Sequence, residues 1–350
     1  MRIAQIAPLT ESVPPKFYGG TERVVSYLTE ELVRQGHDVT LFASGDSQTA
    51  ATLVACTEKA LRLNSGVQDP SPHNIVMLEK VRRQAGDFDV LHFHIDHIHF
   101  PIFRDIAERM VTTLHGRLDL PDLQPLYEEF CDIPLVSITR HQRLPMPPVN
   151  WVGMVHHGLP VHIYPFSASP NGGYLAFLGR ICPEKRVDRA IEIARRAGIT
   201  LKIAAKVDAI DRSYFEDHIR HLLGHPLIEF VGEIGEQEKA RFLGNARALL
   251  FPIDWPEPFG LVMIEAMACG TPVIAYGCGS VPEVIDEGVS GFIVGGIDEA
   301  VDAVRNLDAL DRYRIRRRFE ERFSVERMAK DYLAIYHSMA EPRRLPKQAA

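Results

Sequence analysis

The sequence predicts an α/β protein of two doubly wound domains, each an open parallel sheet flanked by helices. Three observations predict it. Short apolar runs of β type alternate with amphipathic helical stretches, which implies parallel strands joined by crossovers. The alternation runs through the first half and restarts in the second. Between the halves lies GLPVHIYPFSASPNGG (158–173), rich in Pro, Gly and Ser and without periodicity, which is linker composition. A length of 350 residues agrees, at roughly 150 residues per domain. The expected division is 1–165 and 166–325, with a last helix over 326–340 packing back toward the first domain.

In the first half the β-type runs are RIAQIA (2–7), DVTLFA (38–43), DVLHFH (89–94), VTTLH (111–115) and LVSIT (135–139). TERVVSYLTEELVRQG (21–36) separates the first two. Its Val24, Val25, Leu28 and Leu32 share a helical face, and Gly36 is a C-terminal stop. The second half gives YLAFLG (174–179), TLKIAA (200–205), IEFVG (228–232), ALLFPI (248–253), PVIAY (272–276) and GFIV (291–294). EKRVDRAIEIARRAG (184–198) is a helix between them, and SVERMAKDYLAIYHSM (324–339) is a terminal one.

Composition narrows the function. Hydrophobic content of 46% and charged content of 24% are globular. A net charge of −7 argues against nucleic acid as the main partner, because that binding draws on clustered Lys and Arg. RIRRR (314–318) is the local exception, read as a solvated helix face, with an anionic lipid patch as the alternative. The five cysteines are scattered without CxxC spacing, so neither a zinc knuckle nor a disulfide framework is suggested. No signal-peptide pattern and no long apolar run is present, which points to a cytoplasmic home.

In open parallel sheets, ligands bind beyond the carboxyl ends of strands. Two such domains facing each other are expected to form a cleft, and the motifs sit just after strands. YGGTE (18–22) precedes the first helix; its glycines allow close backbone approach, and the helix start offers free N–H groups to a phosphate or sugar. A plain tight turn is the alternative. LGRICPEK (178–185) follows a second-half strand and carries Arg180 and Lys185, a fork of donors and a mobile charge that suit a diphosphate. Two solvated cations would be the bland reading.

FPIDWPEPFGLVMIEAMACGTPVIAY (251–276) is the most informative stretch. Pro256 and Pro258 bracket Glu257 and fix its backbone at low entropic cost. Gly260 sits at a helix start, Leu261, Val262, Ile264 and Met267 follow at helical spacing, and Glu265 lies further along. GCGSVPEVI (277–285) is a Gly-rich loop ending in Glu283, which either caps a helix or meets a ligand.

GGTE, TLHG, LGRICPEK, the Glu257–Glu265 pair within EPFGLVMIEAMACGTPVIA, and GSVPEVI stand in the order found in retaining glycosyltransferases of family four. The chain resembles that family over residues 1 to 338, most specifically over 257–276. The resemblance implies the GT-B architecture of two facing Rossmann-like domains. It implies that Glu257 contacts hydroxyls of a donor sugar, and that Glu265 bonds the ribose hydroxyls. Arg180 and Lys185 would neutralise the diphosphate. Gly19 and Gly20 would approach the donor from the other domain, and Phe259, Gly260 and Leu261 would border it. His115 would sit beside the donor sugar, making Glu257, His115, Arg180 and Lys185 the catalytic set. Two departures, Lys206 after Ala205 where relatives often have glycine and Cys278 within GCGS, leave base and sugar open.

LHFHIDHIHF (91–100) holds four histidines and an aspartate, which resembles a metal site. His92 and His94 fall on one side of a strand, and His97 and His99 lie past its end. Four-coordinate sites draw converging ligands from separated elements. The histidines are therefore read as structural or site-lining, with His92 and His94 as acceptor-side candidates and no metal. Asp87-Phe-Asp89 imitates a metal-binding DxD but precedes its strand, at the wrong end for a site, and reads as a turn.

The expected activity is metal-independent, retaining glycosyl transfer from a UDP- or GDP-sugar, a co-substrate rather than a cofactor, to an acceptor that is a carbohydrate, lipid or small molecule. Peripheral membrane contact is compatible with it. A phosphorylase or epimerase on the same architecture, or a non-catalytic nucleotide-sugar binder, are the alternatives. Sugar, base, acceptor and oligomeric state are not legible.

Overall fold

The structure, a computed structural model, describes residues 1–16 and 19–340. The chain divides into two compact units. The first is built from Met1–Ile138, Pro145–Val155 and the residues from Val325 on; the second from Thr139–Leu144 and His156–Ser324.

The first unit contains β1 (Arg2–Ile6), β2 (Asp38–Ser44), β3 (Thr52–Thr57), β4 (Val90–Phe93), β5 (Met110–Thr113), β6 (Leu135–Ser137) and β7 (Trp151–Met154). Their order is β3-β2-β1-β4-β5-β6-β7, and every pairing is parallel. All five runs expected in this half are strands. β3 and β7 were not expected. They are the two edges of the sheet, and neither shows the continuous burial of the central strands, so their apolar signal is weak. The first helix, Gly20–Arg34, buries Val24, Val25, Leu28 and Leu32, the face its periodicity indicated. The terminal helix, Val325–Ala340, also belongs to this unit. It lies close over β7 at Gly153, where an added Cβ would come within 2.4 Å of Ile335 Cδ1.

Strand register decides where the histidines go. Gln5 pairs with His92, and His92 with Val111. The His92 ring bonds Tyr336 and Thr113 of the terminal helix and β5. His99 stacks on Phe93 at 3.9 Å between ring centroids and bonds Thr112 Oγ1 at 2.8 Å. These are core histidines with polar partners, as buried polar groups require. Asp89 accepts from the Arg2 main-chain N–H at 2.8 Å and pairs with its guanidinium, which ties the entry of β4 to β1 and accounts for the DxD-like triplet.

The second unit contains β8 (Leu175–Arg180), β9 (Leu201–Lys206), β10 (Ile228–Gly232), β11 (Ala248–Phe251), β12 (Val273–Tyr276) and β13 (Gly291–Val294). All six were expected. The order is β10-β9-β8-β11-β12-β13, again parallel throughout. The helix Val187–Ala197 buries Val187, Ala190, Ile191 and Ala194 and stops at Gly198 with φ +68, a left-handed cap that glycine adopts without strain.

RIRRR is not simply a solvated face. It lies in the helix Arg312–Phe323, whose Ile315, Phe319 and Phe323 are buried. Arg316 reaches the carbonyls of Tyr164, Ala268 and Val161, and Arg318 pairs with Asp286 at 2.8 Å. Only Arg314 and Arg317 are exposed. One turn earlier, Arg312 spans the carbonyls of Ser167 (2.7 Å), Ala246 (3.1 Å) and Gly244 (2.9 Å) and the Thr271 hydroxyl (2.7 Å). A count of charges cannot tell a guanidinium that satisfies buried carbonyls from one in water.

Two outcomes follow from these contacts. Arg312→Ala leaves several carbonyls without a donor and should destabilise the second unit by about 3 kcal/mol, read as a lower urea midpoint; an unchanged midpoint would show the clamp to be idle. The second outcome concerns pH. Burial holds His92 and His99 well below the ordinary histidine range and pushes His115 down to about 3. The unfolded chain takes up protons near pH 6.5 that the folded one refuses, so this stability is present above pH 6.5 and lost as pH falls below it. Each ring should cost about 1 kcal/mol between pH 7 and pH 5.5, before carboxylates titrate. Chemical unfolding of the first unit at the two pH values measures it, and equal stability would contradict neutral burial.

Candidate active site

In the second sheet, strand order reverses between β8 and β11. Chain leaving those two strands departs to opposite sides and opens a crevice at their carboxyl ends. Arg180 is the last residue of β8, with Lys185 five positions on. The loop after β11 carries Trp255, Glu257, Phe259 and Gly260 into the helix Leu261–Ala268. The topology therefore brings together two motifs some seventy residues apart. Lys185 Nζ forms an ion pair with Glu257 Oε2, and the Trp255 indole N–H donates to the same oxygen at 3.0 Å. The ammonium also lies 5.4 Å from the Trp255 ring and 5.5 Å from that of Phe251, a cation–π arrangement. The main-chain N–H of Asp254 donates to the Glu184 carbonyl at 2.9 Å and joins the two loops.

The Gly-rich loop after β12 supports this carboxylate rather than standing apart. Gly279 has φ +58, and a Cβ there would meet the Glu257 backbone nitrogen at 2.4 Å. Ser280 donates from its N–H to the Glu257 carbonyl (3.0 Å) and from its hydroxyl to the Phe259 carbonyl (2.7 Å). The Thr139 hydroxyl donates to the Pro258 carbonyl at 3.0 Å. Glu283, left between two readings by the sequence, accepts from the main-chain N–H groups of Arg140 (2.9 Å) and His141 (2.7 Å). Burial alone would raise its pKa, yet the His156 ring and these amides hold it down at about 2. Trp255, Gly279, Ser280 and Thr139 were not singled out in the sequence. The tryptophan stood in the WPEPF motif and Gly279 and Ser280 in the Gly-rich loop GCGSVPEVI, but their contacts, like that of Thr139, are made to main chain, which residue types do not reveal.

The remaining candidates of this unit are placed as follows. Arg180 lies beside Lys206 in register on β9, and both face Asp208, at 3.6 Å and 2.8 Å. Arg180 also approaches Asp211 at 3.7 Å. Burial would raise the Asp208 pKa, but Lys206 and Arg180 outweigh it and hold the carboxyl below its usual range. Glu265 is only 3% exposed, accepting from the Tyr164 hydroxyl at 3.0 Å and from Lys239 at 3.1 Å. The Phe259 side chain is packed against His157, 4.7 Å between ring centroids, so what this residue can offer a ligand is main chain. Gly260 has φ +79 and turns the chain into the helix that Leu261 begins.

In the first unit, order reverses between β1 and β4. The chain leaving β1 reaches Gly19 and Gly20; Tyr18, which opens the motif, lies outside the described residues. Gly19 lies against Pro15 and Glu11, where a Cβ would approach Pro15 Cβ to 2.7 Å. Gly20 begins the first helix. His94 follows β4 and His115 follows β5, and their rings meet, Nδ1 to Nε2 at 2.9 Å. His92 lies deeper, within β4. Among the described residues, no group of three His, Cys, Asp or Glu side chains is arranged to hold a metal ion. Nor is any helix of the described residues long and apolar enough to cross a membrane.

Comparison with known proteins bears on the family and the fold. A family model described as Glycosyltransferase Family 4 matches residues 18–191, and one described as Glycosyl transferases group 1 matches residues 166–322. A D-inositol 3-phosphate glycosyltransferase of Salinispora tropica is 32% identical over 205 residues. That match takes in 50% of this chain and 40% of the relative, so the chain spans under half the length of that relative. Among solved structures, AviGT4, a glycosyltransferase involved in avilamycin A biosynthesis, superposes with a TM-score of 0.74 at 23% identity, covering 97% of this chain and 98% of that one. The Anabaena protein HepE, in complex with UDP and glucose, gives 0.72 at 18% identity, covering 97% and 100%. These likenesses show the fold, two parallel-sheet α/β domains of the GT-B class. Together the two models take in most of the chain, and the protein belongs to the group 1 glycosyltransferases, with an amino-terminal half of the family 4 type.

Proposed function

We propose that the chain transfers a sugar from a nucleoside diphosphate donor, a UDP- or GDP-sugar, to an acceptor hydroxyl with retention at the anomeric carbon and without a metal ion. The observation that carries this reading is the pairing of Lys185 with Glu257 at the strand-order reversal of the second sheet, where Arg180 ends β8 and the loop of Glu257 leads into the Leu261–Ala268 helix. The UDP and glucose held by HepE, a protein of the same fold, support the donor class.

The chemistry follows from the residues. The C–O bond between the anomeric carbon and the diphosphate breaks, and negative charge grows on the departing oxygen. Arg180, Lys185 and the N–H groups at the helix start stabilise that charge, a preorganised electrostatic role that a divalent ion fills in other enzymes. Lys185 is paired with Glu257. A diphosphate competes for the ammonium, and Glu257 is then released to accept hydrogen bonds from the sugar hydroxyls. Its Trp255 partner keeps it in place during the exchange. The acceptor hydroxyl attacks the face the diphosphate leaves and gives its proton to the departing oxygen. His115, the residue that the family resemblance assigns as neighbour of the donor sugar, is neutral at working pH. Glu265 takes the ribose hydroxyls in exchange for its bonds to Tyr164 and Lys239.

The test is turnover of UDP- and GDP-sugars over an acceptor panel, preceded by thermal shifts to choose the donor. Lys185→Ala should lower kcat by about 10²–10³, and Arg180→Ala combined with Lys185→Ala should lower it further, with circular dichroism unchanged. EDTA should leave turnover intact. Wild-type turnover in the double variant would overturn the assignment, and loss of activity on chelation would overturn metal independence.

A further inference from the structure

A single run of hydrogen bonds crosses the interior of the first unit. It begins at His115, just past β5, and passes from His115 Nε2 to His94 Nδ1 at 2.9 Å. His94 Nε2 meets Gln5 Oε1 at 2.8 Å, and Gln5 Nε2 meets the Tyr336 hydroxyl at 3.2 Å. The Tyr336 hydroxyl meets His92 Nδ1 at 2.7 Å, and His92 Nε2 meets Thr113 Oγ1 at 2.7 Å. Thr113 Oγ1 meets the Tyr332 hydroxyl at 3.0 Å. Gln5, His92, His94, Thr113, Tyr332 and Tyr336 are all buried. The run therefore joins the terminal helix to a candidate catalytic histidine.

Such a run has a direction, and one side chain sets it. A carboxamide has an acceptor end and a donor end. Gln5 turns its oxygen to His94, so His94 Nε2 must carry a hydrogen. A neutral imidazole has one N–H, so His94 Nδ1 bears a lone pair and His115 Nε2 must donate to it. Toward the terminal helix, the Gln5 amide nitrogen donates to Tyr336. The tyrosine hydrogen then goes to His92 Nδ1, His92 Nε2–H to Thr113, and the Thr113 hydrogen to Tyr332. Every link has one donor and one acceptor, and each bond polarises the next. Were the Gln5 amide turned over, every link would reverse and the His115 hydrogen would move to Nδ1.

We propose that Gln5, His94 and Tyr336 are positioning residues that hold the His115 ring in its Nε2–H tautomer, with Tyr336 of the terminal helix anchoring the Gln5 amide that sets the order. The functional meaning rests on the reading of His115 as the neighbour of the donor sugar; the tautomer does not. A ring fixed in both rotation and tautomer presents one hydrogen-bonding pattern to a substrate, and needs no reorganisation when the sugar arrives.

The experiment is nitrogen-15 NMR of the full chain labelled at histidine, with His115→Gln used to assign the His115 signals. The wild type should show His115 protonated at Nε2 and unprotonated at Nδ1. Gln5→Met and Tyr336→Phe should each give His115 as a mixture of tautomers, with kcat lowered about tenfold and the donor KM little changed. A wild-type His115 protonated at Nδ1 would overturn the proposal. So would an unaltered His115 signature in both Gln5→Met and Tyr336→Phe. If instead His115→Gln transfers sugar at the wild-type rate, the role given to His115 falls while the tautomer result stands, so the two failures are distinguishable.

Discussion

The crevice of the second unit is spanned by one ion pair, Lys185 with Glu257, which ties the loops after β8 and β11 together where strand order reverses. A carboxylate and an ammonium taken out of water are costly unless each is well partnered. Here the carboxylate has the Trp255 indole N–H as a further donor, and the ammonium faces two aromatic rings. Two prolines, the left-handed turn at Gly260 and the main-chain bonds from Ser280 and Thr139 restrict the loop that carries Glu257. Each member of the pair is thus partnered, and the backbone that carries the carboxylate is fixed.

Much of this was legible in the sequence. The inner strands of the second unit were visible because they are largely buried and read as continuous apolar runs, and the edge strands β10 and β13 because IEFVG and GFIV are themselves short apolar runs. The first unit hid β3 and β7, edge strands with weaker burial. The motifs that carry charge were legible because chemistry demands residue types: Arg180, Lys185 and Glu257 stand next to strand ends in the sequence and in space. What was not legible was support by main chain. Gly279 matters through the space it leaves over Glu257, and Ser280 through a carbonyl it caps. RIRRR shows the converse failure, since Arg316 looks like surface charge and works as a donor to three carbonyls.

The histidines carry a related lesson. Four of them within ten residues suggest coordination, yet strand periodicity sends His92 and His94 to one face and His99 to partners on another part of the core. What decides their character is the company that register supplies: Gln5 from β1, Thr112 and Thr113 from β5, and two tyrosines from the terminal helix. No local window of sequence contains that set.

That dependence on distant chain bears on how the protein is made. A ribosome releases the strands of the first unit well before residues 325–340 exist, and His156–Ser324 of the second unit is synthesised in between. Until the terminal helix emerges, the space that Tyr332 and Tyr336 will fill stands open, and the Gln5 amide nitrogen and His92 Nδ1 lack the Tyr336 hydroxyl that each of them meets. Domains generally fold as units during synthesis. Here the first unit is completed only by residues 325–340, so its core stays open while the chain between Val155 and Val325 is made, and that helix seals it.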